Sequence, residues 1–397
     1  MTNLFKIDDL VKIAKRENNT KRSYLYVNPV QGKHVPVSPS LPLLLFSALA
    51  AKIESRYPEE RLLVIGFAET ATAIGSTIAY KAKNAVYYMN TTRESVAGAA
   101  YLFFTESHSH ATEQRLVANG MGDILSNVDR VIFAEDEVTT GSTIEKLIRI
   151  LQGKYADKAL KFGIISILNS MPDARLRELE GEGIPCDCLY RLPVRYRVDE
   201  VERHTYLPLS TEKAKGTCGQ VRTVRVGGYW NCRQAADTAK IRRLTEKFVD
   251  AAVSALETER ADRILVLGTE EFMFPGLLIG AEIENRWPKK TVRFHATTRS
   301  PIEISRDEEY PLHDRTPLSS LYDGNRDTFI YNLAKYDMVL IITDANPVAK
   351  EGLSSLIGAL EQYGNNQIIL IQWGTTIFGI LYKIFAKKVN EKFSLAL

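Results

Sequence analysis

The chain has 397 residues, 45% of them hydrophobic and 25% charged, with a formal net charge of +3. That length suits two domains, and the composition is that of an ordinary globular protein. The charge is too close to balanced to call for a nucleic-acid partner.

The opening residues, MTNLFKIDDL, carry acids where a secretory leader needs a basic flank and an apolar core. The apolar runs near Ile368 and Ile377 are broken by Gln372, Gly374 and Lys383, short of membrane-spanning length. A cytoplasmic protein with no membrane partner is expected. Four cysteines, Cys186, Cys188, Cys218 and Cys232, lack the paired C-x-x-C spacing of a structural zinc site. With His204 nearby, a metal site stands as the alternative to plain reduced thiols.

Along the chain, Tyr24 to Pro39 reads as a strand followed by a turn-rich segment that carries Gln31, Lys33 and His34. Leu62 to Ile65 is an apolar strand, and Gly66 to Gly75 is the loop after it. Gly66 permits a tight turn or close backbone approach. In that loop, Glu69 is a candidate Mg²⁺ ligand or helix cap. A second strand, Val86 to Met89, leads to Thr91-Thr92-Arg93, whose guanidinium fork suits phosphate oxygens. Phe103 to Leu116 is a polar stretch with His108 and His110, two of only six histidines, able to donate hydrogen bonds or a proton near neutral pH.

The stretch Val131 to Ile144, VIFAEDEVTTGSTI, is the most specific signal. A β-branched apolar run ends in Glu135-Asp136, then breaks into Thr139-Thr140-Gly141-Ser142-Thr143, and EKLIRIL follows with helical spacing. A small-residue loop at a helix N-terminus presents backbone N–H groups and the positive end of the helix dipole to a phosphate. The acids at the strand end can accept hydrogen bonds from vicinal sugar hydroxyls. One segment thus supplies a site for a sugar phosphate.

The architecture occurs twice. LLVIGFAET, VYYMNTTRES and VDRVIFAEDEVTTGST in the first half answer to ILVLGTEEF, VRFHATTRSP and YDMVLIITDANPVAKEG in the second. Gly66 and Gly268 lie 202 residues apart, Arg93 and Arg299 lie 206 apart, and Asp136 and Asp344 lie 208 apart. Alternating strands and helices predict an α/β fold of mostly parallel sheets, with ligands beyond the carboxyl ends of the strands. The expected division is a first domain over residues 1–205, a linker over 206–222 and a second domain over 223–397.

Val131 to Thr143 resembles the phosphoribosyl-pyrophosphate signature of type I phosphoribosyltransferases. QGKHVPVSP, ETATAIG, ESHSHATEQ and EDEVTTGST resemble the orotate-phosphoribosyltransferase-like proteins of bacterial tellurite-resistance and stress operons. Thr298-Arg299-Ser300-Pro301 is the tetrapeptide that names the TRSP domain found C-terminal to them. The resemblance implies two tandem Rossmann-like domains, the second degenerate. It implies a Mg²⁺-dependent transfer of ribose 5-phosphate from phosphoribosyl pyrophosphate to a nucleobase-like nitrogen, with release of pyrophosphate, in the biosynthesis of a nucleoside-like metabolite. It puts Glu135, Asp136, His108, His110 and Arg93 in catalytic roles, the histidines on a loop that closes over the reacting centre. It puts Thr139 to Thr143 and Gly66, Ala68, Glu69 and Thr70 against the phosphates, with Mg²⁺ held by the substrate and by Asp136 or Glu69. Thr139 stands where purine-salvage relatives have an aspartate, which favours the orotate branch and leaves the base open. A homodimer is within the family pattern.

In the second half Thr343-Asp344 replaces the acidic pair, and Asn346-Pro347-Val348-Ala349 replaces the phosphate loop. Proline removes an N–H donor. This half is therefore expected not to hold phosphoribosyl pyrophosphate in the same manner. Glu270, Glu271, Arg299, Ser300 and Asp344 are its candidates for a different ligand, or it closes over the first site. The competing functions are a non-enzymatic phosphoribosyl-pyrophosphate-binding regulator and a ribose-phosphate pyrophosphokinase.

Overall fold

The computed structural model describes residues 5–18, 23–104, 114–192, 198–256 and 261–374. In the first half a hairpin of β1 (Lys12–Lys15) and β2 (Tyr24–Val27) precedes α1 (Ser40–Arg56). Then come β3 (Leu62–Gly66), α2 (Thr72–Lys81), β4 (Ala85–Asn90), β5 (Tyr101–Phe103), β6 (Arg115–Val117), β7 (Arg130–Val138), α3 (Ser142–Lys154), β8 (Lys161–Asn169), α4 (Asp173–Gly181) and β9 (Cys186–Arg191). In the second half β10 (Arg222–Val226), β11 (Ala236–Asp237) and α5 (Thr238–Ser254) lead into β12 (Arg263–Gly268), α6 (Phe274–Arg286) and β13 (Thr291–Ala296). The chain continues with β14 (Arg315–Ser319), β15 (Asp327–Tyr331), β16 (Met338–Thr343), α7 (Lys350–Gln362) and β17 (Ile368–Trp373).

The continuous apolar runs become sheet interiors. Every residue of β3, β16 and β17 is buried, as strands covered on both faces require. The first sheet has the order β11-β4-β3-β7-β8-β9, the second β10-β17-β16-β12-β13. Neighbours are parallel throughout, except that β11 runs antiparallel along β4. The core order β4-β3-β7-β8 therefore reappears as β13-β12-β16-β17, and the repeat read from the sequence is a repeat of topology. The fold is α/β with mostly parallel sheets. Helix α3 shows why the short motif folds as it does. Ile144, Leu147, Ile148 and Leu151 form one buried stripe against the sheet.

The halves interlock. β11 adds an edge to the first sheet, and the Thr238 hydroxyl at the start of α5 donates to the Ala85 carbonyl at 2.7 Å. The Arg242 guanidinium, also on α5, bonds the carbonyls of Ala79, Tyr80 and Ala82. In the other direction, Ala14, Leu25 and Val27 of the first hairpin pack with Ile302, Ile304, Tyr310 and Tyr331. Val37 bridges Phe294 at the edge of β13. The apolar core is continuous across both sheets. Among the described residues, no helix is long and apolar enough to cross a membrane.

Candidate active site

The carboxyl ends of β3, β4 and β7 meet at one place. β3 pairs with β7 up to Gly66 opposite Ala134, then turns away. β7 runs on beside β8 to Val138, so the acids are still in the strand and not past its end. Glu135 and Asp136 thus border the space that β3 vacates. Desolvation and the adjacent Asp136 carboxylate push the Glu135 carboxyl well above its usual range. A carboxyl raised in this way favours a cation beside it, which stabilises its charged form.

The turn after β7 is built around Gly141. Its φ of +71° is a left-handed conformation that favours glycine, and an added Cβ would meet Leu179 at 3.3 Å. Gly141 is the N-cap of α3, and the Thr140 and Ser142 hydroxyls lie 3.0 Å apart at the surface. Arg175 of α4 bonds the Thr140 carbonyl at 3.2 Å and fixes the loop from outside. Thr139 and Thr143 flank it, half-buried.

Gly66 serves close packing. A Cβ there would meet the Ala71 carbonyl and the Tyr88 hydroxyl at 3.0 Å, and one on Gly75 would meet Gly66 Cα at 2.8 Å. The loop that follows is held on several sides. The Thr91 hydroxyl accepts from Ala68 N–H at 2.8 Å, and Gln31 donates to the Thr70 carbonyl at 2.9 Å. Glu69 pairs with Lys33, a lysine with 1% exposure that also bonds the carbonyls of Glu270 and Thr297 at 3.0 Å. Burial pushes the Glu69 carboxyl up, but Lys33 and Arg299 outweigh it and hold it down at about 2. Its charge is therefore present and already paired. His34 is buried beside Tyr331, and burial with the Lys33 charge pushes it down to about 3.

Arg93, half-buried, has Glu69, Glu271 and Glu135 as the acids in its field, and its Nε has no hydrogen-bond partner among the described residues. The structure thus gathers Gly66, Ala68, Glu69, Thr70, Arg93, Glu135, Asp136 and the loop Thr139 to Thr143 at one end of the first sheet. His108 and His110 lie outside the described residues. A narrow cavity of about 20 Å³ adjoins Asp136 and Glu137, walled by Val11, Tyr26, Asn28 and Tyr190.

The second-half candidates sit inside the protein's own ion pairs. Asp344, 8% exposed, accepts from Tyr322 at 2.6 Å, Tyr229 at 2.7 Å and Arg233 at 2.6 Å. Arg233 also bonds Glu271 at 3.0 Å. Glu270 pairs with Arg299 at 2.6 Å and Arg326 at 2.9 Å. Arg299 pairs with Glu94 of the first half, and Arg326 reaches Glu94 at 2.8 Å. Ser300 stands apart from this network, with its carbonyl accepting from Tyr331. The short connection from β14 to β15 brings Ser320, Tyr322 and Arg326 down onto their own strand ends. Sequence reasoning missed Tyr322, Arg326 and Arg233. The only cue to Arg233 was its place after a half-boundary, which does not point to Asp344. Among the described residues, no group of three or more His, Cys, Asp or Glu is placed to hold a metal ion, and His204 bonds Asp307.

Solved structures similar to part of the chain include APRTase from Giardia lamblia complexed with 9-deazaadenine, at 14% identity and TM-score 0.34 over 46% of this chain and 94% of that one. Adenine phosphoribosyl transferase from Trypanosoma brucei, in complex with AMP, pyrophosphate and ribose-5-phosphate, is 15% identical, with TM-score 0.31 over 48% and 80%. A hypoxanthine phosphoribosyltransferase from Staphylococcus aureus is 13% identical, with TM-score 0.24 over 40% and 78%. No curated protein matches the chain. The PRTase_2 family, described as phosphoribosyl transferase, matches residues 10–192, and the TRSP domain, described as C-terminal to PRTase_2, matches residues 230–360. The chain belongs with the PRTase_2 phosphoribosyl transferases that carry a C-terminal TRSP domain.

Proposed function

We propose that the first half transfers ribose 5-phosphate from phosphoribosyl pyrophosphate to a nucleobase-like nitrogen nucleophile, releasing pyrophosphate and yielding a nucleoside-like metabolite. One observation carries this reading: the acidic pair on β7 and the Gly141 loop at the N-terminus of α3 form a single corner at the carboxyl end of a parallel sheet. The loop's amides and hydroxyls hold the 5-phosphate. Glu135 and Asp136 accept from the ribose hydroxyls. Arg93 and the amides after Gly66 hold the pyrophosphate as its charge grows. His108 and His110 are assigned to donate to the departing group.

Mg²⁺ fits this corner. Asp136 and Glu135 offer oxygen ligands, and the raised Glu135 carboxyl is what a neighbouring cation would relieve. Bound, the ion would neutralise phosphate charge. Glu69 is a poorer ligand because Lys33 already holds it. The acceptor base is assigned to the cavity beside Asp136, whose lining includes Tyr26, Tyr190 and Asn28. The cavity holds about one water as it stands, so a base must widen it. The functional halves are kept at residues 1–205 and 223–397, with 206–222 joining them.

The test follows pyrophosphate release from phosphoribosyl pyrophosphate and Mg²⁺ over a panel of bases and amines. Turnover that falls at least about 100-fold, or about 2.7 kcal/mol, in Asp136→Asn and Glu135→Gln supports the assignment. Full activity in both variants removes it. Tight binding without turnover on any acceptor would favour the regulator instead.

A further inference from the structure

Glu69 and Glu271 occupy equivalent places in the repeat, 202 residues apart like Gly66 and Gly268. Each crosses to the other half. Glu69 accepts from the backbone N–H of Arg299 at 3.4 Å, and Glu271 accepts from that of Arg93 at 2.9 Å. Arg93 and Arg299 are themselves equivalent, each closing a Thr-Thr-Arg segment. The loops behind them match bond for bond. Ala68 N–H donates to Thr91 as Glu270 N–H donates to Thr297, and Glu94 N–H donates to Thr92 as Ser300 N–H donates to Thr298. Equivalent residues meeting reciprocally define an isologous contact, the kind made by two copies about a two-fold axis. Here both copies lie in one chain.

The contact is not symmetric in what it touches. The Arg299 side chain is 7% exposed and gathers Glu69, Glu94 and Glu270 around it. Of the groups holding the Gly66 to Thr70 loop, Gln31, Lys33 and Thr91 come from the first half, and Arg299 comes from the second. We propose that the second half is a built-in partner whose Arg299 is a positioning residue for the first half's pyrophosphate loop, acting through Glu69. This rests on the phosphoribosyl reading above. Arg299 does two things for the loop. Together with Lys33 it neutralises a carboxylate that would otherwise repel pyrophosphate, and it fixes the amides that must point at the ligand before it arrives.

The test is calorimetric titration of the full chain with two separate probes, inorganic pyrophosphate with Mg²⁺ and ribose 5-phosphate. Arg299→Gln is expected to weaken pyrophosphate binding at least roughly tenfold, with ribose 5-phosphate, held at Thr139 to Thr143, within about twofold of wild type. Arg299→Lys, which keeps the charge without the fork, is expected to weaken pyrophosphate about threefold. If the glutamine variant does not fold, the lysine variant decides by the same comparison. Unchanged pyrophosphate binding overturns the proposal, and so does an equal loss of both probes, which would mark a merely structural role. Wild-type protein that binds ribose 5-phosphate but not pyrophosphate overturns this proposal alone. Wild-type protein that binds neither overturns the phosphoribosyl reading and this proposal with it.

Discussion

Near the end of strand β7, two half-buried carboxylates stand beside a glycine-hinged loop whose hydroxyls reach the surface. After β16, the one remaining acid is bonded by an arginine and two tyrosines of the same chain, and a proline stands in the loop. The sheets behind the two corners have the same strand order. The difference lies in what fills the strand ends. In the second half, the β14–β15 connection and the segment before β11 supply Tyr322, Arg326, Tyr229 and Arg233, which do internally what a ligand's charges and hydroxyls would do. The scaffold is repeated, while the contents of one corner are the chain's own ion pairs.

The contrast can be broken most forcefully at Arg233. Arg233→Met leaves Glu271 and Asp344 buried without their shared cation. The expected loss is about 3–5 kcal/mol in urea unfolding, with ligand stoichiometry unchanged. A loss under about 1 kcal/mol would mean that the second corner is not held by this ion pair. Acid is the next lever. The Glu69 carboxyl, held down at about 2 from an ordinary 4.5, contributes stability that is fully present above pH 4.5 and is lost as pH falls through about 2. The contribution is on the order of 3 kcal/mol, and Glu69→Gln should flatten that part of the pH–stability curve. A smaller effect is expected at the loop glycine. Gly141→Ala forces an alanine to φ of +71° at about 1 kcal/mol or slightly more. It should weaken ribose 5-phosphate binding several-fold, whereas Pro347→Ala in the second half should leave that binding unchanged.

Much of this was legible in the sequence, and the physical reason is locality. Glu135-Asp136, Gly141 and the helix after them lie within a dozen residues, so one strand–turn–helix rule places them together. The period of the apolar runs and the offsets of Gly268, Arg299 and Asp344 made the duplication readable. The contacts that decide what each half does are long-range. Glu69 meets Arg299 across 230 residues, and Asp344 meets Arg233 across 111. No spacing rule links such partners. Glu69 was therefore ambiguous as a magnesium ligand or cap until Lys33 and Arg299 were seen on it. Glu270, Glu271 and Asp344 looked like a second ligand site because each is an acid at a strand end. Only the fold shows the cations already there. The segment from Gly227 to Ser254 was also opaque, since nothing local indicates that β11 and α5 lean on the first sheet.

The number of phosphoribosyl pyrophosphate molecules that bind each chain in the presence of Mg²⁺ distinguishes one working site from two. Titration calorimetry on wild type, Asp136→Asn and Asp344→Asn gives it directly. Wild type is expected to bind one per chain, Asp136→Asn to lose binding or weaken it at least about tenfold, and Asp344→Asn to retain one per chain. Two per chain, or loss of binding in Asp344→Asn with the protein still folded, would contradict a single working site in the first half.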